Sequence, residues 1–150
     1  MKMLIDDEEF IFTSDKTKLQ IDVIHNFLKN TYWAKNIPNE VVKKSIENSL
    51  CFGVYHKNIQ VGFARVVTDS ATFAYLADVF ILENYRRKGL SKQLMKYILE
   101  YPELQKLRTW ILKTKDAHGL YKKFGFASPK FPERVMEFSD LPNGYSKMDI

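Results

Sequence analysis

Residues 85–94 read YRRKGLSKQL. Arg86, Arg87 and Lys88 crowd before Gly89, and Leu90, Leu94, Ile98 and Tyr101 then recur at helical spacing. The first amides of a helix have no internal partners, and with the helix dipole they favour an anion. A glycine at that point lets a phosphate approach the backbone closely. The stretch therefore reads as a phosphate or pyrophosphate site at the start of a helix. The plainer reading is a basic helix start with a loop glycine. Neither the P-loop spacing nor the dinucleotide-binding glycine fingerprint is present.

Two further places could do chemistry. Tyr121 lies in AHGLYKKFGF, residues 117–126. Asp78 is the sole carboxylate in the apolar run TFAYLADVFIL. An acid among apolar residues is costly unless it is paired or used. Asp78 is thus either an ion-pair partner, with Arg65 the candidate, or a functional group. The charge is also uneven. Between Arg86 and Lys123 there are eleven Lys/Arg against three acids, Glu100, Glu103 and Asp116, while Asp6, Asp7, Glu8 and Glu9 cluster near the start. A basic second half suits an anionic partner, and scattered solvated lysines give the same count.

The loop Arg86-Arg87-Lys88-Gly89-Leu90-Ser91 resembles the Arg-x-x-Gly-x-Gly/Ala pyrophosphate loop of the GNAT N-acetyltransferase superfamily, with Ser91 where Gly or Ala is usual. AHGLYKKFGF resembles that family's second signature, Ala-x-x-Leu-Tyr-x-x-x-Gly-Phe. DVFILENYRRKG is similar to its central strand running into the loop. The family's frequent Asn, three residues before the signature Ala, is Thr114 here. The resemblance spans residues 76–126 by motif and nearly the whole chain by element order. The combination with PERVMEF resembles an uncharacterised bacterial branch.

The resemblance implies an α/β GNAT fold: a mixed, mostly antiparallel sheet with two splayed parallel strands and helices on both faces. It implies acetyl-CoA as acetyl donor. The cofactor contacts would come from Val79, Phe80 and Ile81, from Arg86, Arg87, Lys88, Gly89, Leu90, Ser91 and Lys92, and from Thr114, Ala117 and Tyr121. The backbone of Val79 and Ile81 would pair with the pantetheine amides. Tyr121 matches the usual general acid, and Asp78 the position that contacts or deprotonates a substrate amine. Tyr32, Trp33, Arg65 and Asp78 fall in the acceptor region. Tyr32 and Trp33 serve there either as aromatic contacts for a cation or as a core plug. His118 is a candidate for titration near neutrality or for a hydrogen bond at a helix start. Arg134 and Glu137 are further acceptor candidates. The acceptor is a small-molecule amine or a peptide, with a small cationic amine favoured by the acid on the strand.

The elements must position these groups. EEFIFTSD reads as the first strand. LQIDVIHNFLKN and IPNEVVKKSIENS read as helices, the second capped by Asn39. LCFGVYH and IQVGFARVVTD read as a hairpin around Lys57-Asn58, and TFAYLADVFIL as a central strand buried on both faces. The helix after Gly89 runs to about Tyr101. LRTWILKT is a strand, DAHGLYKKFGF a short helix ending at Gly125, and RVMEF a final strand. The order predicts an α/β domain with an antiparallel start and at least one strand–helix–strand crossover.

The chain has 150 residues, 45% hydrophobic, which suits one domain over 1–150 with a full core. No apolar run reaches membrane-spanning length, and the acidic start lacks signal-peptide character. These features predict a cytoplasmic protein with no membrane partner. Cys51 reads as a buried small hydrophobe rather than a reactive thiol. Competing readings are a non-catalytic CoA-binding module and a nucleic-acid-binding protein, though no recognised nucleic-acid motif occurs. A homodimer stays open.

Overall fold

The computed structural model describes residues 1–145. Six strands form one sheet in sequence order: β1 (Lys2–Ile5), β2 (Glu8–Thr13), β3 (Leu50–His56), β4 (Ile59–Thr68), β5 (Phe73–Ile81) and β6 (Thr109–Leu112). All neighbours are antiparallel except β5 and β6, which run parallel. Four helices, α1 (Ile21–Leu28), α2 (Asn39–Glu47), α3 (Leu90–Leu99) and α4 (His118–Lys122), complete the α/β architecture expected from the sequence. No helix among the described residues is long and apolar enough to cross a membrane.

The helices divide between the two faces because strand side chains alternate. Phe52, Val54, Ala74 and Leu76 pack with Leu90, Leu94, Met95 and Ile98 of α3. Cys51, Phe63 and Phe80 pack on the other face with Ile24 and Leu28 of α1 and Val42 and Ile46 of α2. Cys51 is buried as expected, and burial pushes its thiol up to about 11.

Four expectations are corrected. EEFIFTSD holds not the first strand but the second: Lys2–Ile5 form β1, joined to β2 by a tight turn at Asp6 (φ 51°) and Asp7 (φ 64°). Aspartate is among the few residues that tolerate this left-handed region. The strand β5 is not central: only β6 lies beyond it, and that pairing covers Phe73 to Leu76 alone. RVMEF forms no strand and its backbone stays outside the sheet. Asn39 does not cap α2. Pro38 occupies that position without a side-chain cap, and Asn39 Oδ1 is buried with no partner.

The sheet also contains a close approach that only glycine fits. A Cβ on Gly53 of β3 would collide with the buried ring and hydroxyl of Tyr55. Gly53→Ala is therefore expected to cost about 1–3 kcal/mol, read as a lowered urea midpoint with an unchanged denaturant slope.

Candidate active site

The site begins at an irregularity in β5. Phe80 pairs with Phe63 and Ala77 with Arg65, so Asp78 and Val79 together face Ala64 alone. Two residues opposite one is a β-bulge. Asp78 takes the bulge with φ 55°, a conformation aspartate bears better than a β-branched residue. The extra residue exchanges the faces of the strand. Ala74 and Leu76 face α3 before it, Val79 and Ile81 do so after it, and Phe80 turns to the α1–α2 side. Phe80 is 4% exposed and stacks on Phe27 with centroids 4.0 Å apart. Its side chain cannot contact a ligand in the gap, so only its backbone is available there.

Beyond Leu76 and Leu112 the parallel pair separates. The space between holds a cavity of about 650 Å³ lined by both strands, the α1–α2 loop and the loop into α4. Tyr32, Trp33, Arg65, Asp78, Val79, Thr114, Ala117 and Tyr121 all line it. Eight predicted site residues thus converge on one cleft.

Each oxygen of the Asp78 carboxylate has one partner. Arg65 Nε donates to Oδ2 at 2.9 Å, and Trp33 Nε1 donates to Oδ1 at 3.0 Å. Arg65 reaches on to Ser49 Oγ at 3.1 Å. The ion pair considered from the sequence is therefore present, and it lies in the wall of the cleft. Tyr32 is 58% and Trp33 45% exposed, so neither is a core plug. Tyr32 bridges the cleft: its hydroxyl accepts from the Lys115 amide at 3.2 Å, and the Lys115 ammonium sits 5.2 Å from its ring centroid.

Tyr121 owes its place to the residues after it. Phe126 N–H donates to the Tyr121 carbonyl and Gly125 N–H to that of Lys122, at 3.2 and 3.1 Å. This double closure, with Gly125 at φ 94°, is a Schellman motif. Phe126 then folds back against the Tyr121 ring, centroids 6.0 Å apart. Upstream, the Thr114 hydroxyl accepts from the Ala117 amide at 2.9 Å, fixing the turn into α4. The Tyr121 hydroxyl has no hydrogen-bond partner among the described residues. Burial, followed by the nearby Asp116 and Tyr32, raises its pKa, so the phenol keeps its proton.

The basic loop is built for an anion. Gly89 stands at the head of α3 with φ 80°, without a side-chain cap, and a Cβ there would meet nothing within 4 Å. The first turn of α3 carries no acid. Leu90 is buried, so it presents only its amide. Arg86 turns inward, donating from Nε to the Ile81 carbonyl at 3.0 Å. That carbonyl is thereby occupied, which leaves Val79 the freer backbone of the pair expected to meet pantetheine.

A GNAT acetyltransferase domain model matches residues 47–128, just over half of the chain. The chain belongs to the GNAT acetyltransferase family. A candidate acetyltransferase of the GNAT family from Xanthomonas campestris is 47% identical and superposes with a TM-score of 0.89, over 91% of this chain and 96% of that one. A candidate acetyltransferase from Gibberella zeae is 28% identical over 78% of each chain. A GNAT family acetyltransferase from Elizabethkingia anophelis, solved with acetyl-CoA bound, shares the fold at 13% identity and a TM-score of 0.62, over 90% of each chain.

Within this GNAT domain the cleft includes residues that sequence reasoning passed over. Asp116 lines the cavity and has no ion-pair or hydrogen-bond partner among the described residues. Its position beside Ala117 of the second signature was the available signal. Tyr75, Ser45 and Tyr145 line the cavity without any such signal. His118, Arg134 and Glu137 lie elsewhere. His118 borders a second cavity on the outer side of β6, with no hydrogen bond at the start of α4. Arg134 stacks on Phe131 at 3.8 Å, and Glu137 pairs with Lys113 at 2.9 Å.

Proposed function

We propose that this chain is an acetyl-CoA-dependent N-acetyltransferase acting on the primary amine of a small cationic molecule, by direct attack in a ternary complex. The observation that carries the proposal is the splayed β5–β6 cleft with the unpartnered Tyr121 phenol on its wall. The open space at Gly89 and the uncapped, acid-free start of α3 fit a pyrophosphate, with Arg87, Lys88 and Lys92 supplying charge nearby. The unpaired β6 side of β5, from 77 to 81, fits an extended amide-bearing chain. The Elizabethkingia relative with acetyl-CoA bound supports the same donor here.

Acetyl-CoA, when bound, supplies a thioester carbon and a sulfur leaving group. An alkyl ammonium must first lose a proton, which costs about 4–5 kcal/mol at pH 7. Asp78 takes that proton, directly or through water, from a carboxylate held in one orientation by Arg65 and Trp33. Asp116 draws the cation into the cleft. As the amine nitrogen bonded to the acyl carbon it would shed its second proton to solvent, and Tyr121 would donate a hydrogen bond to the sulfur departing as thiolate when the C–S bond breaks.

The test follows thiol release from acetyl-CoA over polyamines, amino acids, aminoglycosides and short peptides. Asp78→Asn is expected to lower kcat/KM on the accepted amine at least about tenfold. It also leaves Arg65 without its carboxylate, at about 1–3 kcal/mol of stability. The Asp78→Asn/Arg65→Met double variant removes the orphaned charge and is expected to recover stability but not turnover. Full turnover in Asp78→Asn would remove the base from the proposal. Acetyl-CoA binding without turnover on any amine would overturn catalysis in favour of a CoA-binding module.

A further inference from the structure

We propose that the acceptor is a basic α-amino acid, acetylated on its α-amine, with Arg65 holding its carboxylate. This rests on the acetyl transfer proposed above and names the class of molecule that enters the same cleft. The starting point is a set of unused donors. A guanidinium carries five N–H groups and no acceptor. Arg65 donates from Nε to Asp78 Oδ2 at 2.9 Å and from Nη1 to Ser49 Oγ at 3.1 Å. Its Nη2 has no acceptor among the described residues. The side chain lines the cleft and is only 18% exposed. A charged donor largely withdrawn from water calls for an acceptor. The two existing bonds also fix the plane of the guanidinium, and a fixed planar fork is what recognises a carboxylate.

The charges around the cleft fit a zwitterion that carries one further cation. Asp78, Asp116, Arg65 and Lys113 line it. Lys113 is occupied by Glu137 at 2.9 Å, and Asp116 has no partner among the described residues. Arg65, Asp78 and Asp116 are therefore the charges that meet the acceptor. Arg65 and Asp78 lie side by side, as the carboxylate and the α-amine of an amino acid share one carbon. A carboxylate on Arg65 thus brings the α-amine to Asp78. Asp116 is then available to a cationic side chain. A simple diamine has no group for Arg65, and it sets an ammonium beside the guanidinium, where like charges repel. In the transfer the α-nitrogen forms the amide, its protons pass to Asp78 and to solvent, and the sulfur leaves as thiolate.

L-Lysine, L-lysinamide, cadaverine and L-norleucine test this. Lysinamide loses the carboxylate charge, cadaverine the whole carboxylate, and norleucine the side-chain ammonium. Lysine is expected to exceed each of the others at least about tenfold in kcat/KM, and its product is expected to be Nα-acetyllysine by NMR. Calorimetric titration with CoA present reads recognition without turnover, and lysine is expected to bind at least about tenfold tighter than lysinamide. Arg65→Met lowers turnover on every amine, because Asp78 loses its partner. The readout is therefore the ratio of lysine to lysinamide, in kinetics and in binding, which is expected to fall towards one. Arg65→Lys keeps a charge beside Asp78 but loses the planar fork, and it should lower the same ratio even where Arg65→Met fails to fold. Lysine no better than lysinamide or norleucine overturns the inference while acetyl transfer stands. So does a ratio that neither variant changes, an Nε-acetyl product, or turnover of another amine class with no lysine bound. Silence with every amine, with lysine bound and lysinamide not, keeps the recognition and overturns the transfer. Silence with no lysine bound overturns both.

Discussion

Tyr121→Phe is expected to lower kcat for amine acetylation about 10²-fold, with the KM for acetyl-CoA changed less than about twofold. The substitution removes one oxygen that has no hydrogen-bond partner among the described residues and keeps the ring against Phe126. Folding stability should therefore not move, and urea denaturation beside the kinetics checks this. The pH profile carries a second mark of the same role. Burial raises the phenol above its usual 10.0, so the protonated donor persists across the neutral range. In the wild type kcat/KM should climb above pH 7 as the acceptor amine loses its proton, and fall only above pH 10. In Tyr121→Phe the climb should remain and the fall disappear. An unchanged kcat would remove Tyr121 from the chemistry.

Gly89→Asp should weaken acetyl-CoA binding about 10²-fold, measured by calorimetric titration. A carboxylate would stand in the space where α3 presents its free amides, taking those amides and the helix dipole for itself and repelling any phosphate. Aspartate tolerates a φ of 80° better than most residues, so the fold should survive. Gly89→Ala is the companion: it meets no atom within 4 Å and adds no charge. It should cost about 1–2 kcal/mol of stability from the left-handed conformation and far less affinity than the aspartate. Equal affinity losses in the two variants would show that backbone shape, rather than charge, sets binding there.

The parts of this molecule that were legible in the sequence are those specified by short-range rules. Lys57-Asn58 made a hairpin because both residues accept positive φ, here 51° and 65°. Gly125-Phe126 closed a helix because glycine takes the left-handed turn and phenylalanine folds back. RVMEF misled because strand propensity reports fitness for a pleated surface, not the presence of a partner. The bulge at Asp78 was hidden for a related reason. An alternating pattern does not reveal an extra residue that swaps its faces, so Phe80 was placed with the cofactor contacts when its side chain belongs to the opposite core. Asp78 drew attention as a lone acid, and its pairing with Arg65 was a candidate from the start. Its second partner, Trp33, lies 45 residues away, and no local pattern connects the two.

That contrast in distance along the chain has a kinetic consequence. Tyr121 is set by bonds that span five residues or fewer. The opposite wall is fastened by Trp33 to Asp78 and by Tyr32 to Lys115, which span 45 and 83 residues. Closing long loops is slow and entropically costly, whereas short closures form early. The donor side of the cleft should consequently assemble first during folding, and the acceptor side last. The same order in reverse makes the Tyr32–Trp33 loop the first part of the cleft to detach under denaturant, well before the sheet gives way.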